Sequence, residues 1–98
     1  MTRKKLQRLK RRLAMLRQRL ANIRSTELQS FARALGRVRD TSRGKEPTFV
    51  SLLLPNSRPL SIPDHPGSLK RFTAGNILDT LEQDIFALED MLADKSRE

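Results

Sequence analysis

Two amphipathic stripes of opposite charge, one near each end of the chain, limit the folds open to this sequence. Toward the C-terminus, Leu78, Leu81, Ile85, Leu88 and Leu92 recur at spacings of three and four, which lays them along one face of a helix. Asp79, Glu82, Asp84, Glu89, Asp90 and Asp94 occupy the other faces, and no base follows Leu78 until Lys95. At the opposite end, Leu6, Leu9, Leu13, Leu16, Leu20 and Ile23 hold the a and d positions of a heptad seam. Residues 1–24 carry ten Lys or Arg and no acid, a charge of +10. The other 74 residues carry ten bases and eleven acids, which leaves them at −1. The whole positive excess of the chain therefore lies in one helix.

With Leu6 at an a position, the e and g sites are Lys5, Lys10, Arg12, Arg17, Arg19 and Arg24, all basic. A parallel self-pair would set like charges against each other, whereas an antiparallel pair with the acidic helix matches signs and buries both stripes. The pattern predicts that residues 4–23 pack on residues 76–92, either within one chain or exchanged between the two copies of a homodimer. A second duty is open to the same helix: gripping RNA or an anionic membrane surface with its outward face.

A net charge of +9 and a pI near 11.3 favour an anionic partner, most simply nucleic acid. Without cysteine there is no disulfide, thiolate nucleophile or thiolate metal site, and a single histidine leaves no multi-histidine cluster. No apolar run approaches a membrane span, so membrane insertion is not expected. The Arg-rich start resembles an organelle presequence, but its strict heptad stripe suits a retained helix better, and a cytoplasmic location is expected.

Between the stripes the punctuation predicts short elements. Thr26 with Gln29 forms a capping-box pattern, with Ser25 as the alternative cap, opening a helix over 26–35 that Gly36 closes. Residues 37–40 read as a short strand with Val38 as the buried position, residues 48–54 as a central strand, and residues 59–62 as its hairpin partner. Pro63 to Gly67 (PDHPG) is a loop, after which Thr73 is the expected N-cap of the last helix. Gly75, inside that helix, suggests close packing against a neighbouring backbone. The fold class is α+β: a small three-stranded antiparallel sheet backed by helices, with the basic N-terminal helix on the long acidic C-terminal one.

The run from Ser25 to Leu78 resembles the HicA (YcfA-like) toxin family of bacterial toxin–antitoxin systems. The resemblance is carried by Ser25-Thr26-Glu27-Leu28 leading to Leu35-Gly36, by Val38-Arg39 and Gly44, and above all by Ser61-Ile62-Pro63-Asp64-His65, Leu69-Lys70-Arg71-Phe72-Thr73 and Ile77-Leu78. It implies a domain at residues 25–98 with a double-stranded-RNA-binding-like fold, an mRNA-cleaving activity and a HicB-like antitoxin partner. Residues 1–24 and the extension after about Leu81 lie outside the usual domain.

The family's catalytic histidine follows a Gly-Ser pair before the central strand, and Glu46 stands at that place here, between Lys45 and Pro47. A glutamate on an exposed turn beside Arg43 and Lys45 is poorly suited to act as the acid for a leaving oxygen, so loss of cleavage is the expectation. His65 and Glu46 are the candidate catalytic residues, with a structural or binding role for His65 the favoured alternative. Arg43, Lys45, Arg58, Lys70 and Arg71 are the candidate RNA-binding residues, the last two because they lie at the start of a helix. No aromatic platform for unpaired bases is evident, and no metal or other cofactor is implied. The competing reading is a non-catalytic helical module that binds a protein partner or a second copy of itself.

Overall fold

The computed structural model describes residues 1–42, 44 and 46–97, with side chains as far as residue 94. The chain forms three helices and a small sheet in the order α1 (Arg3–Gln18), α2 (Ser25–Ala34), β1 (Arg37–Arg39), β2 (Thr48–Ser51), β3 (Leu60–Ser61) and α3 (Arg71–Arg97). This is an α+β fold, as the sequence predicts.

Helix α1 opens with Thr2, whose hydroxyl accepts the Lys5 N–H at 3.1 Å, satisfying one of the first-turn donors. Its Leu6, Leu9, Leu13 and Leu16 are buried and share one core with Ile77, Leu78, Leu81, Ile85 and Leu88 of α3. Lys10 pairs with Glu89 and Arg17 with Asp79 and Glu82, so the two helices run antiparallel. The single chain folds its basic helix back onto its own acidic one.

The heptad helix ends sooner than its pattern, at Gln18, and a single 3-10 turn at Leu20–Asn22 follows. Ile23 is extended and fully buried, and its carbonyl accepts the Leu69 N–H at 2.9 Å. That tie, with a bridge between Arg24 and Ser68, pins the junction against the loop leading into α3. Helical backbone at Ile23 would forgo both contacts. Arg24 rather than Thr26 caps α2, and Gln29 reaches back to the Ser25 hydroxyl at 2.9 Å, so no capping box forms at Thr26. Gly36 ends the segment at φ +95, a conformation that disfavours any side chain. An added Cβ would also lie 2.6 Å from the Leu53 side chain, which would have to move aside.

The sheet order is β1-β2-β3, antiparallel throughout, with Val38 opposite Val50 and Phe49 opposite both Arg39 and Leu60. Its helix-facing side is set by Phe49 and Leu60, both buried. In that register Arg37 points inward and is buried, while Val38 points out and is 39% exposed, the reverse of the expected pattern. The central strand stops at Ser51, three residues before its expected end. The Leu52 N–H still reaches the Gly36 carbonyl in register with β1, but the Leu54 N–H turns to the Ser51 hydroxyl, so the pairing goes no further. Helix α3 begins at Arg71, not after Thr73, because buried Leu69 is held by Ile23 and the Lys70 carbonyl already accepts the Ala74 N–H at 2.9 Å.

Candidate nucleic-acid interface

Helix α1 seats its e edge on α3 and its g edge on α2. On the e edge, Lys10 and Arg17 meet acids of α3. On the g edge, Arg12 donates to the Ser30 hydroxyl at 3.2 Å and lies over the Phe31 ring, while Arg19 pairs with Glu27. The g-side bases thus engage α2 and not the acidic helix. The Arg19 guanidinium hydrogen-bonded to Glu27 holds that carboxyl below the ordinary carboxylate range, despite its partial burial. Lys4, Lys5, Arg8 and Arg11 stay exposed and form no ion pair among the described residues. The outward face of α1 is therefore a row of uncompensated bases.

A second basic region lies where the 3-10 turn leads into α2. The Arg24–Ser68 bridge brings the start of α2 beside the start of α3, since Ser68 stands two residues before Lys70. Helix N-termini carry unpaired N–H groups and the positive end of the helix dipole, so this corner gathers two of them. The first turn of α3 holds no acid, and Glu27, in the first turn of α2, is neutralised by Arg19. Arg24, His65, Lys70 and Arg71 are all exposed there. Arg24, Thr26, Asp64, His65 and Pro66 line a cleft of about 350 Å³ at the corner. Asp64 is the one acid in its wall.

The His65 Nδ1 accepts the Gly67 N–H at 3.1 Å, which places the proton of the neutral ring on Nε2. Held this way, the imidazole offers an anion a donor. To act as a base through Nδ1 it would first have to give up the Gly67 bond. Glu46 is exposed and does not line the cleft. It precedes Pro47, whose carbonyl accepts the Ile62 N–H at 3.0 Å, so it stands at the same end of the sheet as the His65 loop.

Of the other residues singled out from the sequence, Lys70 and Arg71 stand exposed at the start of α3 but do not line the cleft, and Arg71 borders the groove beside Leu20 and Phe72. Arg58 is exposed before β3, at the end of that strand away from His65, and its carbonyl accepts from Arg37 at 3.0 Å. Arg43 and Lys45 lie outside the described residues. Against models of known families, curated proteins and solved structures, the chain finds no match. The sequence reading missed Arg24 and Thr26, which it assigned to the heptad and to a helix cap. Their place in the cleft depends on the bridge to Ser68, which joins residues 44 positions apart. No helix among the described residues is long and apolar enough to cross a membrane.

Proposed function

We propose that the protein is a HicA-like RNA-binding protein of a toxin–antitoxin system, one that grips the RNA backbone and has lost cleavage. The observation that carries this reading is the corner at Arg24, His65, Lys70 and Arg71, where the starts of α2 and α3 meet. Phosphate is the ligand such a corner suits, because exposed cationic side chains stand beside two helix N-termini with their unpaired N–H groups. The row of bases on α1 adds a second set of contacts that read charge and shape rather than sequence. The α-β-β-β-α order of residues 25–97 agrees with the double-stranded-RNA-binding-like fold that the resemblance implies. Loss of cleavage is supported by Glu46 in place of the expected histidine, and by a lone imidazole whose Nδ1 is already engaged.

The test is incubation of purified protein with a structured RNA at low and moderate salt, scoring binding and cleavage together, with His65→Ala and Glu46→His alongside. Salt-sensitive binding without cutting, and activity gained in Glu46→His, is the expected result. Cleavage by the unmodified protein that vanishes in His65→Ala would mean that the active site has moved to the loop. Absence of binding at low salt would sink the RNA reading altogether.

A second reading, as a module that docks on a protein partner, is favoured by an apolar groove of about 520 Å³. It runs between the Leu53–Pro55 turn and Ala87 and Met91 of α3. A HicB-like antitoxin or a second copy of the chain would cover such a surface. Doubling of the mass in solution without RNA binding would leave this reading alone.

A further inference from the structure

The four phenylalanines have different fates. Phe31 and Phe49 are fully buried, and Phe86 is about half exposed. Phe72, in the first turn of α3, is 80% exposed. It borders a groove of about 530 Å³ between the end of α1 and the start of α3, with Leu20 and Gly75 in its wall and Arg71 at its rim. Phe72 offers a single exposed ring rather than a platform of several aromatics.

Gly75 makes the groove. Its backbone is helical, and the only left-handed glycines among the described residues are Gly36 and Gly44, so conformation does not require glycine here. Packing does not require it either. An added Cβ would meet the Leu20 methyls at 3.8 and 4.0 Å, an ordinary contact, and no neighbouring backbone comes close. Glycine inside a helix is unfavourable relative to alanine. What the residue preserves is open space beside an exposed ring.

Asn76 adjoins that space, one residue after Gly75 and four after Phe72, on the same side of the helix. Its side-chain amide makes no hydrogen bond among the described residues, so both its donor and its acceptor are free. Asp79, the one acid in the wall, is held by Arg17 at 2.9 Å. An apolar ring, an amide of the kind that reads base edges, and a cation at the rim are the three groups a nucleotide engages.

We infer that the groove between the ends of α1 and α3 is a subsite for one unpaired ribonucleotide of a bound RNA. The base lies on Phe72 over the gap at Gly75, its edge meets the Asn76 amide, and its phosphate meets Arg71. This inference rests on the RNA-binding reading and adds a requirement to it: the preferred RNA carries an unpaired nucleotide beside its stem.

The chain has no tryptophan, so Phe72→Trp introduces a single fluorophore that reports a base stacked on it. An RNA stem with a one-nucleotide bulge should bind and quench this fluorescence, while a fully paired stem of equal length binds without quenching. Phe72→Ala and Gly75→Leu should each weaken the bulged RNA by about tenfold or more and leave the paired stem within about twofold. If Phe72→Ala leaves the bulged RNA unaffected, or weakens both RNAs equally, the subsite is wrong while the RNA-binding reading stands. If neither RNA binds the unmodified protein at low salt, both fail. If Phe72→Ala instead converts a dimer into a monomer, the ring belongs to a self-association surface and the subsite is overturned.

Discussion

Arg37 and Asp84 meet inside the protein in a two-point pairing, Nε to Oδ2 at 2.6 Å and Nη2 to Oδ1 at 3.0 Å. Their side chains are 1% and 3% exposed. The remaining guanidinium nitrogen donates to the carbonyls of Phe49 and Arg58, each at 3.0 Å. One side chain thus joins β1 to β2, to the segment before β3 and to α3. Asp84→Ala leaves a buried cation without its counter-charge, and should cost about 3–5 kcal/mol in urea unfolding. Replacing both partners together, with Arg37→Met and Asp84→Leu, should recover most of that loss, because apolar packing does not bear the desolvation cost of the ions. A double variant as unstable as Asp84→Ala would show that the backbone contacts, and not the charge pairing, hold this region.

The union of α1 and α3 rests on its leucines more than on its ion pairs. Leu9 is buried, whereas the Lys10 and Glu89 side chains are 40% and 36% exposed. Leu9→Ala should destabilise by about 2–5 kcal/mol and Lys10→Ala by less than about 1 kcal/mol, read from denaturation midpoints. Raising the salt concentration should narrow the Lys10→Ala difference and leave that of Leu9→Ala in place.

Acid sensitivity should have a component from Glu27. Its carboxyl is held below the ordinary value of 4.5 by the Arg19 hydrogen bond, so ionisation is easier in the folded state than in the unfolded one. Such a group contributes stability that is fully present above its unfolded pKa and is lost as pH falls through the folded value. Glu27→Gln should therefore lower stability at pH 7 slightly, and the gap from the unmodified protein should close as pH falls below 4.5. A gap independent of pH would remove the charge from this account.

Gly75→Ala should raise stability, since the added methyl finds only ordinary contact with Leu20. The expected gain is about 1 kcal/mol, or about 4–8 °C in Tm for a domain of this size. A loss instead would mean that the space beside Phe72 is already needed by the folded chain.

The periodic parts of this protein are legible in its sequence. Leucines spaced three and four, with bases at one end of the chain and acids at the other, specify that α1 and α3 exist and lie antiparallel, because burial and charge matching follow from spacing alone. The α+β class and the approximate place of each strand follow in the same way from β-rich runs and turn residues.

Tertiary structure decided the rest. Asp84 lies on the flank of the apolar stripe opposite Glu82 and Glu89, which its spacing shows, but its burial does not follow from spacing: it is buried because the strand register turns Arg37 inward against it. Arg24 continues the heptad on paper. It becomes the start of α2 and a wall of the cleft only because Ile23 and Ser68, remote in the chain, are held together. Phe72 looked like one of four scattered phenylalanines until Leu69 fixed where α3 begins and left that ring facing water. Sequence spacing determines which face of an element is apolar. Which single polar or aromatic side chain meets which partner depends on contacts between distant segments, and those arise only when the layers pack.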